Sequence, residues 1–545
     1  MATPVALCVL GFALFACTKI STESGTGHGS NPWTVPGVVR IGIAREPDNL
    51  NPVIGQQQVD VDLSKFWAGY LIEDDDQNRI IPALASSVPS LENGGISPDG
   101  RTITYHFRRG VKWQDGIPFT ARDVVFTWRA IMNPDNPVPS RAGYELIESI
   151  RTPDPFTAVI LLRRAYAPFV TMFLSPVGAY GYCVLPAHLF PSDANVAHAA
   201  YSTMPIGTGP YRVVSYEPDS VVRMIANPGY WQGPPKLREV DVRIVPDENT
   251  LATLVKTREI DFYDQVPHTI TRQLRGTPGV RIISTPFTRY ADLGLNTHDP
   301  LLSDVRVRQA LVFATDRPTL IEKVTTGADV LADSDQPPFL WAHDDDVRRY
   351  PYDPSAASRL LDAAGWRMGP DGLRQKNGVV LRLGLAGIAG ATESLEAREL
   401  IQQQWRQVGI DTVIKSYPSD ILYGPASDGG IEMTGHFQVV LEGFSNGADP
   451  DDSILFECRW IPPNGENVYR FCDRSFDGAE EAALASYSRS VRKARYASIA
   501  QVLAEQVPII PLWFETYDFA VNTDLKGFRP DHVGSPIWDT GDWRI

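Results

Sequence analysis

The stretch from residue 379 to 416 constrains the fold most. Val379 to Leu385 is a strand-length apolar segment, and Ser394 to Val408 carries Ala397, Leu400, Ile401, Trp405 and Val408 at helical spacing before Gly409 ends it. Ile410 to Ser416 reads as a strand again. Strand, helix and strand in that order form one βαβ unit, which predicts a parallel pair joined by a right-handed crossover.

The rest of the chain fits an α/β reading. Asp353-Pro354 is an N-cap followed by proline at the first helical position, and Gly365 stops that helix. Ser303 to Ala314 is helical, and two helices fall between Phe476 and Gln506 before an extended Val507-Pro508-Ile509-Ile510-Pro511-Leu512. Nearer the start, Val38 to Ala44 is a strand, and Ile103, Tyr105 and Phe107 alternate with polar residues after a Ser97-Pro98-Asp99-Gly100 turn. Thr120-Ala121-Arg122-Asp123 resembles a capping box, with Asp in place of Glu, ahead of Val124, Trp128 and Ile131. Tyr211 to Tyr216 and Val221 to Ala226 flank a Glu217-Pro218-Asp219-Ser220 turn as a hairpin, and Val240, Val242 and Ile244 alternate in a further strand. No repeat of 20–50 residues is visible.

At 545 residues the chain has room for several domains. Lys and Arg number 50 against 65 Asp and Glu, a net charge of −15, with no clustered basic run. Neutralising nucleic-acid phosphates needs such clusters, so no nucleic-acid partner is expected. Past the extreme N-terminus no apolar run reaches the roughly 20 residues that span a bilayer, which excludes a channel or permease.

Residues 2–16 are uncharged, mostly apolar and of the size of a signal-peptide core. They end in Leu14-Phe15-Ala16-Cys17, which resembles a bacterial lipobox, although no Lys or Arg precedes the run and Phe15 is bulky for its place. A leader over 1–16 and a lipidated Cys17 are therefore expected, followed by a Gly/Ser/Thr-rich tether through residue 35. That places the protein in the periplasm or at the cell surface, anchored to a bacterial membrane by lipid alone. Outside the cytosol disulfides persist. Cys458 and Cys472 lie close together in a loop-like stretch and are the expected pair, leaving Cys183 unpaired and buried.

Chemistry-bearing motifs are mostly missing. There is no Gly-x-x-x-x-Gly-Lys-Ser/Thr loop, His-Glu-x-x-His, Cys-x-x-Cys or Gly-x-Ser-x-Gly. Asp74-Asp75-Asp76-Gln77-Asn78 begins like a calcium loop but has Arg79 where Gly is required and Ala85 where the bidentate Glu belongs; it reads as a solvated acidic turn. No cofactor, no metal and no catalysis are expected.

Several segments, in order, resemble family 5 of the bacterial extracellular solute-binding proteins, the dipeptide- and oligopeptide-binding type of the ATP-binding-cassette (ABC) importers. They are Arg45-Glu46-Pro47-Asp48-Asn49-Leu50-Asn51-Pro52; Ile81-Pro82-Ala83-Leu84-Ala85 through Val111-Lys112-Trp113-Gln114-Asp115-Gly116 to Pro118-Phe119-Thr120-Ala121-Arg122-Asp123-Val124; Pro205-Ile206-Gly207-Thr208-Gly209-Pro210-Tyr211 with Asn227-Pro228-Gly229-Tyr230-Trp231; Glu259-Ile260-Asp261; and Asp304-Val305-Arg306-Val307-Arg308-Gln309-Ala310-Leu311 with Leu360-Leu361-Asp362-Ala363-Ala364-Gly365-Trp366. The resemblance spans roughly residues 38–515.

It implies an α/β, class II periplasmic-binding-protein-like clamp. Lobe I would take residues 36–286 and 508–545, with an inserted α/β subdomain at about 62–200, and lobe II residues 287–507. Crossovers near Thr285-Pro286 and Gln506-Val507-Pro508 would be the hinge. The implied partners are a peptide or other small solute and the permease subunits with their cytoplasmic ATPases, and the binding protein itself is expected as a monomer. A sensory or chaperone-like binder, or a member specific for an oligosaccharide, opine or nickel complex, is the alternative. In peptide-binding members an Asp in a lobe II loop holds the ligand's ammonium. The matching loop here runs from Phe444 to Asp452, with Phe444, Asn446 and Asp449 as candidate ligand residues. Alignment on Asp449-Pro450 puts Asn446 at the Asp position, and a one-gap alternative puts Asp449 there.

Overall fold

A computed structural model describes residues 31–177, 181–191, 194–197 and 200–545. The leader at 1–16, Cys17 and residues 17–30 of the tether lie outside the described residues. Eleven strands form the main sheet: β1 (Val38–Ile43), β2 (Tyr211–Glu217), β3 (Val221–Ala226), β4 (Glu239–Ile244), β5 (Phe262–Tyr263), β6 (Val280–Leu295), β7 (Val330–Leu331), β8 (Arg382–Ile388), β9 (Asp411–Tyr417), β10 (Val439–Ser445) and β11 (Ile509–Asn522). The order is β9-β8-β10-β6-β11-β5-β1-β4-β3-β2, with β7 pairing β11 off this path.

The βαβ unit is β8, helix Thr392–Gln407 and β9, paired in parallel with Leu385 beside Ile414. Its first strand starts later than the sequence suggests, because Val379 and Val380 pair with Lys376 and Gln375 in a small separate sheet. The hairpin β2–β3 is antiparallel from Tyr211↔Ala226 to Glu217↔Val221. Thr120 and Asp123 make the capping box of helix Ala121–Met132.

The two longest strands join the lobes. β6 and β11 pair antiparallel from Val280↔Asn522 to Pro286↔Thr516, break register, and resume from Tyr290↔Phe514 to Gly294↔Ile509. At the break Phe287, Thr288 and Arg289 stand opposite Glu515 alone, an irregularity that bends a strand and ends its pairing locally. On one side of it β11 pairs with β5, and on the other β6 pairs with β10.

The cores divide at the same place. Val39, Ile41, Trp67, Tyr211, Val240, Phe262, Phe519 and Trp543 share the lobe I core. In lobe II, Leu293, Leu311, Leu383, Trp405, Ile510 and Leu512 form one core, and Tyr290, Phe456, Phe476, Tyr496, Ile509 and Phe514 form a second. The return crossing therefore falls at Glu515, beyond the expected Gln506-Val507-Pro508. Pro508 reads as a connector residue, whereas Pro511, in the same extended run, is accommodated inside β11 at a second register shift, opposite Asp292.

The segment expected as an insert contributes a sheet of Thr102–His106, Thr157–Leu162 and Ile147–Asp154 beside helix Ala121–Met132. Its Tyr105, Trp113 and Val124 belong to the same core as Ile41, Tyr211, Val240 and Phe519, so it is packed on lobe I without a gap. Gly207 closes this return. A Cβ there would lie 1.6 Å from the Trp67 carbonyl oxygen, the same oxygen that accepts the Gly209 amide at 2.9 Å, so only glycine allows the two backbones to meet.

Cys458 and Cys472 form a disulfide with their Cα atoms 4.5 Å apart. Cys183 is a buried free thiol whose pKa burial pushes up to about 12. Among the described residues no helix is long and apolar enough to cross a membrane.

Candidate functional site

The lobes touch along a rim on the side away from the hinge. Tyr166 Oη of lobe I donates to Asp451 Oδ2 of lobe II at 2.7 Å. Tyr487 Oη approaches the carbonyls of Gly100 and Tyr166 at 3.2 and 2.9 Å. The amide of Ala167 donates to Leu484 O, and that of Ala448 to Val177 O. Val177 and Val533 pack against Leu340, with Ile80, Phe339 and Ala448 at the edge.

Between the lobes lies a cavity of about 640 Å³. Lobe I supplies Asp74, Arg79, Ile80, Glu92, Val170 and Val533; lobe II supplies Phe339, Trp341, Asp449, Tyr487, Arg489 and Arg492. A space of this size with a mostly apolar wall and few placed charges is typical of small-molecule sites. The indole of Trp341 has the guanidinium of Arg489 at 5.1 Å and that of Arg492 at 5.2 Å from its ring centre, so the aromatic wall carries two cations. Among the described residues no carboxylate forms an ion pair with Arg489.

The three loop residues singled out in the sequence occupy different surroundings. Asp449 is in the cavity wall, but its carboxylate is already engaged: Oδ2 accepts Arg492 Nη1 at 2.6 Å and Oδ1 accepts Nη2 at 2.5 Å. Burial raises the pKa of Asp449, opposed by the Arg492 charge. Asn446 is 6% exposed, and its Nδ2 donates to the Asp335 carbonyl at 2.7 Å, which ties the loop to the segment before Phe339. Phe444 ends up half-buried on β10 with its ring 6.4 Å from that of Tyr290. Only Asp449 of the three lines the cavity.

A second polar region borders the hinge. Arg289, at the register break, pairs with Glu515 at 3.0 Å. Asp62 accepts from Gln58 and Gln265, and burial pushes its carboxyl up to about 6. Asp264 is raised well above the usual range by burial and by Asp62. Across β6 and β10, Asp292 stands opposite Glu442; burial raises both, Glu442 to about 7, and the two carboxyls also repel.

The sequence reading missed Asp74. Its run of aspartates reads as a solvated turn, yet Asp74 is 1% exposed and in the cavity wall. Its neighbour Asp75 does make the turn, accepting from the amides of Gln77 and Arg79 and from the Arg79 guanidinium. Trp341, Tyr487, Arg489 and Arg492 were also missed. They are far from the loop in sequence and share no local spacing with it. No group of three or more His, Cys, Asp or Glu among the described residues could hold a metal ion.

Two α/β lobes joined by two extended strands, closed over a cavity, define a class II solute-binding clamp. The family model "Bacterial extracellular solute-binding proteins, family 5 Middle" matches residues 79–458, well over half of the chain, and the chain belongs to that family of binding proteins. It is 28% identical over 481 residues to the dipeptide-binding protein of Escherichia coli K12, covering 84% of this chain and 85% of that one. The structure of the oligopeptide-binding protein AppA from Bacillus subtilis, in complex with a nonapeptide, superimposes with a TM-score of 0.76 at 23% identity, covering 93% of this chain and 99% of that one. NikZ from Campylobacter jejuni, in complex with Ni(L-His), superimposes with a TM-score of 0.78 at 24% identity, covering 94% and 100%. The fold is common to all three, whatever each holds.

Proposed function

We propose that this protein is the extracytoplasmic solute-binding component of an ABC importer, which closes on a peptide or peptide-like solute and delivers it to the permease. The observation that carries the reading is the cavity of about 640 Å³ shared by both lobes, with Tyr487 in its wall and the Tyr166–Asp451 contact joining the lobes at the rim. A solute bound there touches both lobes, so it favours the closed form by its differential affinity for it. The peptide class is supported by the E. coli relative's name and by the nonapeptide held by AppA. In this reading the Phe444–Asp449 loop contributes wall through Asp449 while Asn446 fixes its position.

We further propose that Cys17 is lipidated and that residues 17–35 tether a monomeric clamp to the membrane. A diacylated cysteine gives stable anchoring where one chain gives only marginal binding. Mass spectrometry of the solute co-purified with native protein tests the ligand class: peptides are expected, and a sugar or metal chelate would replace the peptide reading. Expression of the full precursor tests the anchor, which is excluded if wild type and Cys17→Ser both fractionate as soluble protein.

A further inference from the structure

The inserted subdomain carries a charge balance unlike the rest of the chain. From Arg101 to Arg164 it has ten Lys and Arg against six Asp and Glu, a net +4 in a protein of net −15. Part of that charge lines an open groove of about 720 Å³ on lobe I, where Arg108 and Arg109 stand with Phe156 and Trp231. None of the groove's residues lines the interlobe cavity. Among the described residues neither arginine forms an ion pair. The Arg108 guanidinium lies 5.0 Å from the ring centre of half-buried Trp231, and that of Arg109 lies 4.7 Å from the ring centre of half-buried Phe156. Arg108 Nε and Nη2 donate to the carbonyls of Ala83 and Pro82 at 2.7 and 3.4 Å, which fixes the side chain and leaves Nη1 without an acceptor among the described residues. The exposed Arg109 side chain makes no hydrogen bond among them. Asp154 is the one carboxylate in the wall, and its Oδ1 accepts the Phe156 amide at 2.8 Å, so the groove stays net positive.

The groove lies near the point where the tether joins the body. Trp231 is seven residues before Arg238, whose amide donates to Gly37 O at 2.8 Å. Seven residues span at most about 25 Å, so Trp231 and Gly37 are no further apart than that. The stretch from Cys17 to Asn31 reaches at most about 50 Å. A membrane that holds Cys17 is therefore within range of the groove. A body of net −15 is repelled by an anionic surface and meets one only through a face of opposite sign. Guanidinium groups stacked on rings suit the headgroup level, because Arg takes phosphate oxygens bidentately and Trp favours the membrane–water interface.

We propose that this groove is a second membrane contact, where Arg108 and Arg109 take the phosphates of anionic lipid headgroups and set the orientation of the tethered clamp. This rests on the lipid-anchor reading above and is independent of the solute held between the lobes. A single lipid signal combined with a basic patch anchors more stably than either alone. The inserted subdomain then acts at the membrane, apart from the closing of the lobes.

The test is hydrogen exchange, read by mass spectrometry, on the lipidated full chain in phosphatidylcholine vesicles with and without phosphatidylglycerol. One basic residue at an anionic surface strengthens contact about fivefold, so two give about 30-fold. Peptides covering the groove, 106–112 and 152–158, are expected to exchange about fivefold or more slowly on the phosphatidylglycerol vesicles. That protection should vanish at about 1 M salt, where the screening length is about 3 Å. Arg108→Gln with Arg109→Gln should lose it as well, while peptides from the interlobe cavity exchange as in wild type. Arg109→Gln alone, which breaks no hydrogen bond, serves if the double variant does not fold, and it should lose part of the protection. Equal exchange on the two vesicles, or protection unchanged in a folded variant, overturns the assignment. Protection by inorganic phosphate without vesicles overturns it too and gives the groove to a soluble anion. If the chain proves not to be lipidated, flotation of protein added from solution separates the two ideas. Salt-sensitive flotation with phosphatidylglycerol vesicles that Arg109→Gln weakens keeps the groove and retires the anchor, and no flotation retires both.

Discussion

The imidazole of His268 links the lobes at the hinge: Nε2 lies 3.2 Å from Asp329 Oδ1 and Nδ1 lies 3.1 Å from Asp518 Oδ2. His268 opens helix His268–Leu274 of lobe I, Asp329 precedes β7 of lobe II, and Asp329 also accepts the amide of Thr516 beside the register break. Burial works against the charged ring, but the hydrogen bonds and charges of the two carboxylates outweigh it and hold the pKa at about 10. The folded value lies above the unfolded one, about 6.5, so the stabilisation is full below pH about 6.5 and is lost as pH rises towards 10. Thermal melts of wild type and His268→Gln at pH 6, 8 and 10 should show the gap between them shrinking stepwise. A gap independent of pH would mean that the ring is not held as an imidazolium.

Arg492 and Asp449 make a buried, bidentate pair, and removing one partner leaves the other charge uncompensated. Arg492→Met is expected to cost about 3–5 kcal/mol of stability. Adding Asp449→Asn should recover most of it. Urea unfolding of both single variants and the double variant gives the coupling; two effects that simply add would show that the pair contributes nothing as a pair.

The elements legible in the sequence are those set by local period. The βαβ unit, the β2–β3 hairpin, the Thr120 and Asp353 caps and the α/β class all follow from spacing within about 30 residues. The position of the return crossing does not, because it depends on where β11 changes partners, and two prolines on the lobe II side disguise strand as linker. The site is less legible still. Asp74 stands in a run of three aspartates, the composition of a solvated turn. What buries it is packing near Gly534, a neighbour some 460 residues away along the chain. Trp341 with Arg489 and Arg492 is likewise a tertiary product. Family resemblance pointed to the Phe444–Asp449 loop, but nothing local to that loop reveals that Arg492 occupies its carboxylate.

The Cys458–Cys472 bond has a sequence separation of 14 and lies against the Phe456, Phe471 and Phe476 cluster, whose ring centres are 5.8–6.4 Å apart. On the chain-entropy account, closing such a loop stabilises by about 3 kcal/mol. Cys458→Ser with Cys472→Ser should lower the unfolding free energy by about that amount without changing the oligomeric state. Non-reducing peptide mapping of material exported from the cytosol should recover the linked pair. Two alkylatable thiols at these positions would remove the bond from the account.

Among the described residues, Tyr166 and Asp451 give the rim a side-chain hydrogen bond to a carboxylate, and neither residue lines the cavity, so this contact can be broken without altering the wall. Asp451 keeps a second tie through the Ser453 amide, which holds its carboxylate in place when the phenol is gone. A hydrogen bond to a charged group contributes about 1.5–3 kcal/mol, so Tyr166→Phe should shift the closed–open balance roughly 10- to 100-fold towards open. In the ligand-free protein this appears as a larger radius of gyration by small-angle scattering. With the co-purified solute as probe, release should speed up by a similar factor while association stays within about twofold, because encounter takes place with the open form in both proteins. A Tyr166→Phe variant with unchanged scattering and unchanged release would place the closing force elsewhere, in the Tyr487 and Val177–Leu340–Val533 contacts.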